Sequence, residues 1–170
     1  MTHEKTDDTL AVLTGMYAAE AEYLAAGGPG EASFDLLAPF FAPDVVLHQA
    51  AGLPYGGVWR GHAGLERFFL AMSRTWETFE MTEQQFLATG STAVVLTHIR
   101  ARPRPGGREL AFPLLQTITV AAGRIAEVRP FYWDTAAIAE ACASAGAGLG
   151  GGGRAAESGS GGGSDAGVAE

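Results

Sequence analysis

The chain has one cysteine, Cys142, in 170 residues, so no intrachain disulfide can form and no pair of thiolates is available for zinc. Basic side chains are also scarce: 11 Lys and Arg stand against 19 Asp and Glu, a formal charge of −8 with a pI near 4.9. Such a surface has no general attraction for phosphate backbones or anionic bilayers, which argues against nucleic acid and membranes as partners. No apolar run approaches the roughly 18 residues of a membrane span, and the opening MTHEKTDD is polar and acidic where a secretory signal is basic and then apolar. These absences point to the cytoplasm. Zinc-spaced histidine pairs, a glycine-rich phosphate loop and a nucleophile elbow are missing as well, so neither a metal nor a cofactor is expected.

What the chain does have is apolar residues, 47% of the total, and 24 glycines, and the two are distributed differently. From Ser144 onward 11 of 27 residues are glycine, with only Leu149 and Val168 as larger apolar residues. The division expected is one domain over 1–143 and a disordered Gly/Ser-rich tail over 144–170.

Within the domain, Leu10, Leu13, Tyr17 and Leu24 recur at helical spacing and predict an amphipathic helix over about 8–26, capped by Thr6, Asp7 or Asp8 and ended by GGPG. A shorter helix is expected from Ser33 to Phe41, closed by Pro43. A short strand, Val45 to Gln49, then runs into the loop AAGLPYGG. Leu65, Phe68, Phe69, Met72 and Trp76 predict a second long helix over 62–79. Beyond Thr82 the period changes to two, and four segments separated by GST, PRPGG and AAG describe an antiparallel meander. A last helix is expected over 135–143. Helices preceding an antiparallel sheet make an α+β fold.

The third meander strand places Leu110, Phe112, Leu114, Gln116, Ile118 and Val120 on one face. Gln116 is the polar exception, and an amide on that face either joins a satisfied network or points into an internal cavity.

This order of elements, with FFAPDVVLHQ, GLPYGGVWRG, GRIAEV and FYWDTAAI, resembles the nuclear transport factor 2-like superfamily, and within it the SnoaL-like polyketide cyclases and the ketosteroid isomerases. The resemblance spans about Leu10 to Ala141. It implies a cone: a curved antiparallel sheet wrapped around the N-terminal helices, enclosing an apolar pocket, with the outer sheet face pairing two copies into a homodimer.

The resemblance also implies site positions. The base of the isomerases falls on Gln49, the oxyanion donor on or next to Gln116, and the helix tyrosine on Tyr17, with Tyr23 as the weaker match. Both carboxylates are thus amides, which donate hydrogen bonds but cannot take a proton near neutral pH. His48, His98 and Asp134 are the candidates for proton transfer. His48 neighbours Gln49 and faces the pocket only if the strand end twists; a tight hairpin at Gly106 and Gly107 would pair Thr97 with Gln116 and turn His98 outward. Asp134 has two readings, an N-cap of the last helix or, by the resemblance, the catalytic acid or base. The register implied for the last strand sends Phe131 and Trp133 into the pocket beside Leu47, Ile99 and Leu114, with Tyr55 and Trp59 from the loop. That lining suits a polycyclic or polyketide-like ligand.

The function expected is a cofactor-independent cyclase or isomerase of secondary metabolism acting on a polyketide-like carbonyl compound, with His48, Gln49, Gln116 and Asp134 as its catalytic set. The alternatives are a non-catalytic small-molecule binding protein, an epoxide-opening enzyme using Arg100 and Asp134, or a structural dimerisation module.

Overall fold

The computed structural model describes residues 2–147. Its first helix, α1 (Thr2–Ala25), starts before the expected caps, so Thr6, Asp7 and Asp8 lie within it. Thr6 instead anchors a distant turn: its hydroxyl accepts the Gly90 N–H at 2.9 Å, while the Thr9 hydroxyl donates to the Gly90 carbonyl at 2.8 Å. Two threonines one turn apart thereby pin α1 to a hairpin more than eighty residues away. The helix ends as GGPG requires. The Gly28 N–H returns to the Tyr23 carbonyl and the Gly27 N–H to that of Leu24, with both glycines at positive φ.

In place of the short helix there are two single 3-10 turns, Phe34–Leu36 and Ala38–Phe40, since Pro39 has no N–H to extend either. Strand β1 (Phe41–Gln49) begins earlier than expected and contains Pro43 in the irregular stretch between its two paired segments. The loop then yields a strand that hydropathy does not reveal, β2 (Gly57–Arg60), paired antiparallel with β1.

Helix α2 (Gly61–Thr75) stops short of Phe79, because the chain from Trp76 pairs with the strand ending at Pro103 and becomes the start of β3 (Trp76–Thr89). Sheet pairing overrides the helical period there. The meander continues as β4 (Thr92–Pro103), β5 (Leu110–Ala121) and β6 (Arg124–Tyr132), followed by α3 (Thr135–Ala147). The boundary expected at Ala143 falls inside α3, and the tail over 148–170 lies outside the described residues.

The sheet order is β2-β1-β6-β5-β4-β3, a curved, unclosed surface holding the helices against one face. The expected α+β cone is therefore present, with one refinement: β1 and β6 run parallel, so the sheet is mixed. Leu13, Leu37, Val45, Ile99, Ile118, Ile125 and Ile138 are almost wholly buried in the core between the layers.

Two register details decide which side chains face inward. The β4–β5 connection is longer than a two-residue turn, and Gln116 pairs with Val95 instead of Thr97. An even displacement preserves the faces, so Thr97 and Ile99 are buried and His98, Arg100 and Arg102 lie outside. In β6 the displacement is odd. Val120 pairs with Ile125 and Thr119 with Glu127, leaving Ala126 as an unpaired bulge. Ile125 points inward before the bulge, and Val128, Pro130 and Tyr132 face the interior after it.

Candidate functional site

Between the helices and the concave sheet face lies a cavity of about 430 Å³. Met16, Tyr17 and Glu20 reach it from α1, and Leu65, Phe68, Phe69 and Met72 from α2. The sheet contributes Leu47 and Gln49 from β1, Trp76 and Phe79 from β3, Leu114 and Gln116 from β5, and Pro130 and Tyr132 from β6. Leu24, Glu77 and Arg104, all exposed, mark its mouth. An apolar chamber with a few convergent polar groups is the common form of a small-molecule site.

Its polar groups are few and specific. The Tyr17 hydroxyl donates to Gln116 Oε1 at 2.9 Å, leaving the Gln116 amide N–H groups without a protein partner among the described residues. Burial, reinforced by the charge of Glu20, raises the Tyr17 pKa, so the phenol stays protonated and keeps donating. Glu20 stands one helical turn beyond Tyr17. It is only partly covered by protein, its remaining surface opening on the cavity, and burial pushes its pKa up to about 7. A carboxyl poised there can give or take a proton at neutral pH. Gln49 and Tyr132 form a second polar group in the wall, where burial also raises the Tyr132 pKa.

Of the residues expected from sequence, Tyr17, Leu47, Gln49, Leu114 and Gln116 line this cavity. Ile99 and Tyr55 are buried in the core outside its lining. Trp59 lies edge-on to Phe68 with ring centroids 6.0 Å apart, and its indole N–H donates to the Tyr55 carbonyl at 3.1 Å. Its place is to hold the loop.

The remaining expected site residues do not line the cavity either. His48 alternates with Gln49 to the far side of β1, where its Nε2 meets Glu127 Oε1 at 2.9 Å. Glu127 is in turn held below the usual carboxylate range by Arg129, the main cause, and by His48 itself. Asp134 is exposed and accepts the Ala137 N–H at 2.9 Å, which makes it the N-cap of α3 and keeps it out of the cavity. Phe131 and Trp133 are 56% and 82% exposed, because the Ala126 bulge reverses the alternation and hands the inward position to Tyr132. The Arg100–Asp134 pair of an epoxide-opening site is likewise absent from the cavity, Arg100 being bound to Glu109 at 2.9 Å on the outer face.

Glu20 is the residue that sequence reasoning missed. The signal was present: it lies three residues from Tyr17 and four from Leu24, on the same apolar stripe as Leu13. Among the described residues no group of three or more His, Cys, Asp and Glu side chains is arranged to hold a metal, and no helix is long and apolar enough to cross a membrane.

Comparison with known proteins agrees with this architecture. Among solved structures, a nuclear transport factor 2-like protein from Burkholderia xenovorans LB400 superposes with a TM-score of 0.69 at 22% identity, covering 81% of this chain and 97% of that one. TerC, crystallised with polyporic acid, gives 0.67 at 17% identity over 80% and 98% of the two chains. A protein assigned as a SnoaL-like polyketide cyclase, from Jannaschia sp. CCS1, gives 0.64 at 14% identity over 82% and 94%. No curated protein sequence matches the chain significantly. The SnoaL-like domain model matches residues 21–128, a stretch running from α1 to the middle of β6 and embracing most of the cavity wall, and the chain belongs to that family.

Proposed function

We propose that the cavity is the active site of a SnoaL-like cyclase or isomerase that moves a proton next to a carbonyl group of an apolar, polyketide-like compound. The observation that carries this is Glu20, a carboxyl on the cavity wall one helical turn from Tyr17, whose hydroxyl fixes the orientation of the Gln116 amide in the same wall; burial, which pushes the Glu20 pKa up to about 7, supports it. Glu20 as carboxylate takes the proton from the carbon beside the carbonyl. The Gln116 N–H groups, kept free because Tyr17 occupies the amide oxygen, donate to the enolate oxygen that develops. Returning the proton to another carbon completes an isomerisation; attack of the enolate carbon on a second carbonyl, which then receives the proton, closes a ring.

Amides at both usual carboxylate positions favour the alternative of a non-catalytic carrier, and Glu20 weighs against it by supplying a proton acceptor from a different element. A direct test is solvent deuterium exchange at the acidic carbon of 2-tetralone, an apolar bicyclic ketone. Wild-type protein is expected to accelerate exchange over buffer and Glu20→Gln to lose that acceleration. Binding of the ketone with no exchange above buffer would establish the carrier instead.

The partner proposed for the outer face is a second copy of the chain. Leu96, Leu115 and Phe131 are aligned across β4, β5 and β6 on that face, an apolar row that a monomer leaves in water.

A further inference from the structure

Among the described residues, Arg104 is the one cationic side chain in the cavity lining, and it stands at the mouth, directly after β4 and beside the junction of α2 with β3. Its backbone N–H donates to the Thr75 carbonyl at 2.8 Å. Its side-chain Nε–H is shared between the carbonyls of Ser73, at 3.0 Å, and Trp76, at 2.8 Å. These carbonyls lie at the C-terminal end of α2, where the helix ladder has no further N–H groups to offer them. The residue is thus tied to the junction at two points, and its guanidinium is restrained at the edge of the chamber.

Closing the helix end accounts for Nε alone. The two terminal nitrogens, Nη1 and Nη2, have no hydrogen-bond partner among the described residues, and no carboxylate pairs with Arg104, although Glu77 lines the same mouth. What remains is a planar pair of N–H donors carrying a full positive charge at the entrance of an apolar chamber. That end matches the two oxygens of a carboxylate, which accept from a guanidinium as a parallel pair; a neutral carbonyl oxygen has no charge to answer it. Phe68, Phe69 and Phe79 wall the chamber behind it with aromatic rings, which suits a flat apolar body.

We propose that Arg104 is a specificity-determining residue that binds a carboxylate at the mouth of the cavity, so that the ligand is a carboxylic acid whose apolar ring body occupies the chamber. This rests on the cavity being a ligand site, as argued above, and adds the substrate class. Glu77 works in the opposite direction. It follows Trp76, whose carbonyl holds Arg104, and its negative charge at the same mouth weakens the hold on an anion.

The test compares 2-naphthoate with 2-naphthamide, which has nearly the same shape and no charge, by calorimetric titration at pH 6, below the Glu20 pKa of about 7, so that Glu20 is mostly protonated. Wild type is expected to bind 2-naphthoate about tenfold more tightly, as a charge-assisted bidentate pair requires. Arg104→Gln brings the two affinities together while retaining 2-naphthamide. Glu77→Gln leaves the backbone bonds of Arg104 in place, tightens 2-naphthoate about threefold and leaves 2-naphthamide unchanged, so it reads the same contact should Arg104→Gln fail to fold. Equal wild-type affinities, a naphthoate preference that survives Arg104→Gln, or a naphthoate affinity unmoved by Glu77→Gln would overturn the carboxylate contact and leave the cavity reading intact. Failure of both compounds to bind would overturn both.

Discussion

The Tyr17 hydroxyl and Gln116 Oε1, 2.9 Å apart, join the first helix to the middle strand of the meander across 99 residues of chain. That bond does two things. It satisfies a polar atom on an otherwise apolar strand face, and it decides which end of the amide is offered to a ligand. Beside it, Glu20 shares the helix face with Tyr17, and in the proposed reaction the three residues serve as the proton acceptor, the N–H donor and the group that orients the donor.

Glu20→Gln is expected to lower exchange activity by about 10²–10⁴-fold, the usual contribution of a positioned general base. Because the carboxylate is the active form, wild-type activity rises with pH and levels off above about 7, the value to which burial pushes the Glu20 pKa. A rate that is flat between pH 5 and 8 would count against Glu20 as the base.

The same group governs stability. Glu20 titrates near its ordinary 4.5 when unfolded and near 7 when folded, so between those values the native state binds the proton more tightly. The contribution of Glu20 to stability therefore declines as pH rises from about 4.5 through about 7, by a total on the order of 3 kcal/mol. In urea denaturation, Glu20→Gln should match wild type at pH 4 and exceed it at pH 8.

Tyr17→Phe removes the hydroxyl and keeps the ring, which packs edge-on to Phe86 at 5.6 Å. The expected cost is about 1–2 kcal/mol in stability, from the lost bond and the unpaired amide oxygen. Exchange activity should fall about tenfold through kcat, since Gln116 is then free to turn its oxygen toward the substrate. An unaltered kcat would show that the amide needs no orientation.

Asp134→Ala should leave exchange activity at the wild-type level and cost about 1 kcal/mol of stability, as expected for the loss of an N-cap. His48→Ala, on the outer face, should also leave activity unchanged. A hundredfold fall in either variant would restore it to the site.

Phe131→Asp places a charge in the exposed apolar row with Leu96 and Leu115. Sedimentation equilibrium is expected to show a dimer for wild type and a monomer for the variant, both folded by circular dichroism. A wild-type monomer would remove the pairing surface.

Much of this fold is legible from periodicity and punctuation. The α1 stripe, the glycines ending it and the alternating meander segments are local signals, and the order of elements carries the family. Where the expectations failed, a distant partner decided. Trp76 reads as helix by spacing and becomes strand because Pro103 and its neighbours lie beside it. GVWR reads as loop and becomes β2 because Val46 to Gln49 offer it a ladder.

The site divides along the same line. Alternation within a single strand determined that Gln116 stands on an inward face, since strand parity is a property of the local chain; Gln49 was placed by the resemblance, and His98 stands outside as expected because the actual β4–β5 register differs from the expected one by an even number of residues. Only the tertiary structure decided that Tyr132 and not Phe131 or Trp133 faces the cavity, because one unpaired residue, Ala126, reverses parity and its position depends on how β6 pairs with β5. The α1 stripe puts Glu20 on one face with Tyr17 and Leu24, but only the tertiary structure decided its proton affinity, which depends on which surfaces close around the carboxyl.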